Sequence, residues 1–288
     1  MIISGKIQEI KCLNRLYFMK IFDTHAHYDD KAFDNDREEI ISSLHNLNVM
    51  AVTDIGCDMK SSEEVVKLTK KYDFFYGAVG VIPGECGDMK DEDIDRLRRM
   101  AEENEKVVAI GEIGLDYYWE DNPERDIQKK WFRAQLDLAK ELNLPVVIHS
   151  RDAAEDTLNI LTEYFPGRRS GEEDAKEMCP GVMHCYSYSL ETAEQLMKTG
   201  LYFGIGGVVT YKNAKKLVRA VEAIPIERIV LETDCPYLTP TPKRGERNYS
   251  GYLIHVIEKL AEIKGLTPDE VADITWENAK RLYRLEKL

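Results

Sequence analysis

Eight short apolar runs alternate with charged amphipathic stretches along almost the whole of this 288-residue chain, and that alternation restricts its fold more than any other feature. The apolar runs, at 21–25, 49–55, 74–79, 107–113, 145–149, 181–185, 201–206 and 228–233, read as strands. Most are apolar nearly throughout, the pattern of parallel strands covered on both faces. Between them, stretches such as 37–47, 62–71, 91–103, 123–142, 153–164, 190–199 and 212–223 repeat Leu, Ile, Val or Ala at three- and four-residue steps, as helices with one buried face do. Eight strands, each followed by a helix-bearing segment, predict an α/β fold of the (β/α)8 TIM-barrel type. A doubly wound open sheet has the same local signal. The barrel is favoured because the count reaches eight, and because candidate ligands lie on both the first and the last strand, which an open sheet would hold apart.

The length suits one such barrel. Met19-Lys20-Ile21-Phe22-Asp23 is a natural start for the first strand, so residues 1–18 are expected to be an N-terminal appendage and 19–288 a single barrel domain. The tail is read as closing helices at 253–264, 267–271 and 276–285, with Thr267-Pro268-Asp269-Glu270 supplying an N-cap threonine and a proline at the first helical position. The polar insertion 167–180 is read as a loop before strand six. A net charge of −13 argues against a nucleic-acid coat protein, yet a local metal site can reverse the potential inside an acidic shell. The longest apolar runs are far too short to span a bilayer. The first twenty residues hold no continuous apolar stretch with a small-residue cleavage site. The six cysteines are dispersed, with no Cys-x-x-Cys pair, which suits free thiols. A cytoplasmic monomer with no membrane association is the expectation.

The chemistry is concentrated at the strand ends. His25 and His27 fall on one side of an extended segment, since side chains alternate with period two. Glu112, His149, His184 and Asp234 each follow an apolar run. Any one of them alone fits a solvated polar group at a loop start. Six metal-ligand types at the C-terminal ends of barrel strands, where such enzymes keep their active sites, point to one shared centre. Four imidazoles and two carboxylates exceed one tetrahedral site and suit two divalent ions sharing a carboxylate. Paired ions about 3.5–4 Å apart serve hydrolysis of phosphate esters and of some amides and esters. Asp234 is the natural group both to ligate an ion and to take a proton from water. Imidazole ligands suit Zn or Mn, whereas phosphoryl chemistry often uses Mg.

With these residues in view, the chain resembles the TatD family of metal-dependent hydrolases, in the amidohydrolase-like group of barrels, from about residue 21 to 285. The matching stretches are Phe22-Asp23-Thr24-His25-Ala26-His27, Gly111-Glu112-Ile113-Gly114-Leu115-Asp116-Tyr117-Tyr118, His149-Ser150-Arg151-Asp152-Ala153, His184-Cys185-Tyr186-Ser187 and Leu231-Glu232-Thr233-Asp234-Cys235-Pro236-Tyr237-Leu238, followed by Arg244-Gly245-Glu246-Arg247-Asn248. The resemblance implies a metal-dependent deoxyribonuclease removing nucleotides from DNA ends in a 3′-to-5′ sense. His25, His27, Glu112 and Asp234 would hold one ion, and Glu112 would bridge to a second held by His149 and His184, making Glu112 and Asp234 the catalytic carboxylates. Some relatives are instead deacylases of D-aminoacyl-tRNA, the alternative reading, along with other ester or amide hydrolysis. Two departures stand out: Ile82 replaces the histidine of the family's His-Pro pair after strand three, and Tyr249-Ser250-Gly251 replaces an acidic residue and proline.

Arg151, Arg244 and Arg247 are the candidate substrate-binding residues. Arg151 would offer its guanidinium fork to a phosphate, against a local ion pair with Asp152 or Glu155. Lys243, Arg244 and Arg247 form a compact basic cluster suited to a nucleic-acid backbone. Tyr117, Tyr118 and Trp119 would stack on a base, with core packing expected for at least one of them. His45 and His255 are read as structural or surface residues, and Cys185 and Cys235 as neighbours of ligands that face away.

Overall fold

A computed structural model of the chain describes residues 19–166, 180–285 and 288. The appendage at 1–18 lies outside the described residues, as does nearly all of the insertion at 167–180. Eight parallel strands follow one another in sequence order around a single sheet: β1 Ile21–Ala26, β2 Val49–Ile55, β3 Phe75–Val79, β4 Val107–Asp116, β5 Val146–Arg151, β6 Gly181–Met183, β7 Tyr202–Ile205 and β8 Ile229–Leu231. The seam closes just beyond β8, where Ala26 bridges Cys235, Asp234 N–H donates to the His25 carbonyl at 2.9 Å, and His27 N–H donates to the Cys235 carbonyl at 2.9 Å. The result is the expected (β/α)8 barrel.

One apolar cluster draws a side chain from every strand: Phe22, Ala51, Ala78, Ala109, Val147, Val182, Tyr202 and Val230. A cluster that all eight strands enter is the inside of the barrel, and Trp276, Leu282 and Tyr283 of the last helix close onto it. The larger cluster lies between strands and helices, joining for example Ile110, Ile113 and Ile148 to Trp131, Phe132 and Leu136 of helix Arg125–Leu142. Strand β4 is buried at all ten of its positions, which explains its apolar run.

Boundaries differ from the sequence reading where side chains settle backbone groups. Strand β4 runs on to Asp116 because Gln128 on the next helix accepts from Asp116 N–H at 2.9 Å and donates to the Asp116 carbonyl at 3.0 Å, in place of solvent. The stretch 37–47 divides into an α-helix, Arg37–Ser43, and a 3-10 turn, Leu44–Leu47, ended by Asn48 in the left-handed region at φ 62°. The last helix is continuous, Pro268–Tyr283, where two pieces were expected. Nothing between them breaks a helix, and Val271, Thr275, Ala279 and Leu282 fall on one buried face. Its start is the expected one: the Thr267 side chain accepts from Glu270 N–H, and Glu270 reaches back to the Thr267 N–H. Among the described residues, no helix is long and apolar enough to cross a membrane.

Two irregularities position the site. Between Asp23 and Ala26, three steps of β1 stand against two of β2, and between Ile110 and Ile113 three steps of β4 stand against two of β5. Such bulges re-aim the side chains they carry. Here they lie at His25 and Glu112.

Candidate metal centre

All six residues singled out from the sequence meet at the C-terminal mouth of the barrel. His25 lies near the end of β1 and His27 just after it, Glu112 lies in the bulged part of β4, and His149 is in β5; His184 and Asp234 come after β6 and β8. Glu112, His25, His27 and His184 are buried, whereas His149 and Asp234 are partly open. At β4, Gly114 lets the chains close up: with φ at 149°, any Cβ there would lie 1.9 Å from the His149 carbonyl oxygen.

The two oxygens of Glu112 face different partners. Oε2 lies 3.3 Å from His25 Nε2 and 4.0 Å from His27 Nε2. Oε1 lies 2.9 Å from His149 Nδ1 and 3.9 Å from His184 Nε2. Asp234 Oδ1 stands 3.2 Å from His27 Nε2 and 3.7 Å from both His25 Nε2 and His184 Nε2. The imidazole nitrogens of His25 and His27 are 3.1 Å apart. Donors about 2.0–2.1 Å from a tetrahedral ion are separated by roughly 3.3 Å, so the set His25, His27, Glu112 and Asp234 has the spacing that holds a cation. His25, His27 and Glu112 form one buried trio of potential ligands, and His25, His184 and Glu232 another. The donor set, imidazole with carboxylate, fits Zn or Mn.

Hydrogen bonds outside the centre set which nitrogen points inward in His27, His184 and His149. The Ile55 carbonyl can only accept, so His27 Nδ1 donates to it at 2.9 Å, which leaves Nε2 as the nitrogen that can offer a lone pair to a cation. Glu232 Oε2 lies 3.1 Å from His184 Nδ1, and its Oε1 accepts from Cys185 N–H at 2.7 Å. Asp116 Oδ2 lies 3.1 Å from His149 Nε2. Sequence reasoning assigned no role to Glu232 or Asp116. A signal existed for Glu232: it is 1% exposed, and an acidic side chain inside an apolar run must have a buried partner. Gly204 leaves it room, since a Cβ there would lie 1.9 Å from Glu232 Oε2.

The charges are interdependent. Burial opposes a charge on His149, but the carboxylates of Asp116 and Glu112 outweigh it and push its pKa up to about 9. Burial likewise opposes His184, and Glu232, Glu112 and Asp234 raise it to about 9. Burial would raise Glu112, yet the charge on His184 and the bonds from His149 and His25 hold it well below the usual carboxylate range. Burial would raise Asp234 too, and His184 and His27 keep it low. His25 is lowered by burial and by His184, whose ring stacks on it with centroids 3.5 Å apart. Without metal, then, protons occupy a site that its carboxylates make attractive to cations.

The centre forms the floor of a cavity of about 1110 Å³. Arg151, Lys31, Lys60 and Ile82 are among its walls, and Cys185 lines it as well. Cys185 was expected to face away; its backbone sits in the left-handed region at φ 45° with its N–H drawn to Glu232, which turns the residue toward the cavity. Cys235, by contrast, is fully buried. Arg151 makes no ion pair with Asp152 or Glu155; its guanidinium lies 3.7 Å from the ring centre of Tyr118 and 5.2 Å from that of Trp119. Arg244 and Arg247 are not part of the cavity wall. Arg244 lies over Tyr211 at 3.9 Å. Arg247 pairs with Asp36 at 2.6 Å, donates to the Ala32 carbonyl and covers Phe33. Tyr117 packs partly against the core and donates to Asp156, whereas Tyr118 and Trp119 are exposed. His45 is an exposed residue beside Phe74, and His255 pairs with Glu258 at 3.4 Å.

Comparison with known proteins places this geometry among relatives. The profile of a family described as TatD related DNase matches residues 22–284. The chain is 44% identical to the uncharacterized metal-dependent hydrolase YabD of Bacillus subtilis, over 92% of this chain and 99% of that protein. It is 34% identical to the uncharacterized metal-dependent hydrolase YcfH of Escherichia coli K12, over 93% and 97% of the respective chains. The crystal structure of YJJV, a TatD homologue from Escherichia coli, superposes with a TM-score of 0.83 at 29% identity, covering 93% of this chain and 99% of that one.

Proposed function

The chain belongs to the TatD family of metal-dependent hydrolases, and from that premise we propose that it is a deoxyribonuclease that hydrolyses phosphodiester bonds at DNA ends in a 3′-to-5′ sense. The observation that carries the reading is the division of Glu112 between two sets of donors. His25, His27, Glu112 and Asp234 would hold one divalent cation, and Glu112, His149 and His184 a second. When bound, such ions acidify a coordinated water and offset charge on the phosphate oxygens.

The remaining work falls to the chain's own residues. Asp234, partly open to the cavity and held ionised by His184 and His27, takes the proton from the attacking water. Asp116 and Glu232 hold the imidazoles of His149 and His184 in orientation. Arg151, at the wall, offers a guanidinium to a phosphate of the bound strand. Lys31 and Lys60 add positive charge to the same wall in a chain that is otherwise strongly acidic.

One observation favours a second reading, hydrolysis of the ester in D-aminoacyl-tRNA. Ile82 presents an apolar side chain to the cavity where the family resemblance leads one to expect a histidine. Purified protein supplied with Mg, Mn or Zn and offered 3′-labelled single-stranded DNA and D-tyrosyl-tRNA in parallel decides between them. Release of labelled nucleotide is expected. Robust deacylation with no DNA cleavage under any metal would reverse the assignment.

A further inference from the structure

Outside the metal centre, the turn after β4 leaves two large aromatic side chains in water: Tyr118 is 50% exposed and Trp119 58%. The other two tryptophans, Trp131 and Trp276, are buried. Leaving an indole in water forgoes the burial that usually stabilises it. Trp119 meets its neighbours Tyr118 and Arg151 on the rim. Its ring meets Tyr118 edge-on, with centroids 4.8 Å apart and planes at 87°, and the Arg151 guanidinium covers Tyr118 at 3.7 Å.

The turn is tied to the metal centre. Asp116 Oδ1 accepts from Tyr118 N–H at 2.9 Å, while Oδ2 of the same carboxylate faces His149 Nε2 at 3.1 Å. Tyr117 N–H donates to the Arg151 carbonyl at 2.9 Å, two residues beyond His149 on β5. Asn122 closes the turn, donating from its side chain to the Asp116 carbonyl at 3.1 Å and from its backbone to the Trp119 carbonyl at 3.3 Å. The aromatic pair is therefore held at a set position relative to the centre. Arg151, which lines the cavity, connects the two and makes no ion pair among the described residues.

We propose that Trp119, Tyr118 and Arg151 form a nucleobase-stacking subsite, in which a base of the bound strand lies on the indole while Arg151 meets the adjoining phosphate. The inference rests on the nuclease reading and goes beyond it by naming where a base is held. Charge selects the occupant: an aromatic face beside an unpaired guanidinium, opening on a centre suited to phosphodiester hydrolysis, matches a polyanion that carries π-faces. Tyr237, an exposed aromatic that lines the cavity itself, is less suited because its hydroxyl is tethered to Asp30 at 2.9 Å and, among the described residues, no cation covers its ring.

The test uses the full chain with Mn. Because Trp119 is the exposed tryptophan, adding a short phosphorothioate oligo-dT is expected to quench intrinsic fluorescence. Trp119→Ala is expected to raise KM for a DNA oligonucleotide about 10- to 100-fold with kcat unchanged, the range that loss of one stacked base gives. Trp119→Phe should restore most of the loss, and an oligonucleotide abasic near its 3′ end should not distinguish Trp119→Ala from the parent. Absence of quenching together with an unchanged KM in Trp119→Ala overturns the subsite and leaves the nuclease reading intact. Hydrolysis of bis(p-nitrophenyl) phosphate, which has no base, reports on the centre separately. Quenching by oligo-dT without hydrolysis of either diester would sink the nuclease reading and keep the subsite.

Discussion

Replacing Glu232 with Gln probes how the barrel prepares a histidine for metal. The change conserves volume in a side chain that is 1% exposed, so the fold is expected to survive it. The Cys185 N–H, which donates to Glu232 Oε1 at 2.7 Å, can still be met by the amide oxygen. The amide nitrogen must then face His184 Nδ1, at 3.1 Å in the parent protein. Once the ring has given up its second proton, as metal binding requires, a donor there forces Nδ1 to accept and leaves the remaining proton on Nε2. That is the atom directed at Glu112 and Asp234, 3.9 and 3.7 Å away. A protonated Nε2 has no lone pair for a cation, so His184 leaves the donor set. Losing an outer hydrogen bond of this kind typically costs 10- to 100-fold in metal affinity, about 1.4–2.8 kcal/mol. Titrating the metal-free variant with Zn or Mn by calorimetry, with histidine nitrogen NMR to read the tautomer, measures both parts. Parent-like affinity in Glu232→Gln with an unprotonated His184 Nε2 would refute the reasoning.

Four further outcomes follow from the same geometry. Gly204→Ala places a Cβ 1.9 Å from Glu232 Oε2, so it should lower Tm through overpacking of about 1–3 kcal/mol and weaken metal binding in the same direction as Glu232→Gln; an unchanged melt would show the strand can give way. His149 and His184, each raised from 6.5 to about 9, are protonated at neutral pH without metal, so loading at pH 7 should release protons and affinity should climb toward pH 9; calorimetry in buffers of different ionisation enthalpy reads this, and zero net release contradicts it. By the same linkage, stability that these imidazoles supply is fully present below pH 6.5 and lost as pH rises through about 9, so the metal-free protein should melt earlier at the alkaline end. Asp234→Asn should lower kcat by about 10²- to 10⁴-fold with metal content retained, whereas full activity at unchanged metal content would remove the proton-acceptor role.

How far the site could be read in advance depended on the range of the interactions. His25, His27, Glu112, His149, His184 and Asp234 were legible because each follows an apolar run, and a strand end is a local property of the chain. Cys185 was misread for the opposite reason. Its direction follows from a left-handed backbone angle and from Glu232, 47 positions away. Arg247 looked like a free phosphate ligand beside Arg244, yet Asp36, 211 positions earlier, takes its guanidinium.

The sequence by itself determined the barrel, because periods of two and 3.6 residues in apolar side chains select strand and helix locally, and eight alternations leave few closed arrangements. It also determined the chemical types available at the mouth. Only the tertiary structure decided how those groups divide: which oxygen of Glu112 meets which imidazoles, which nitrogen of His184 turns inward, and that Asp116 joins His149 to the aromatic turn. These are orientations, set by bulges, close strand contacts and hydrogen bonds between residues distant in sequence, and no local pattern encodes them.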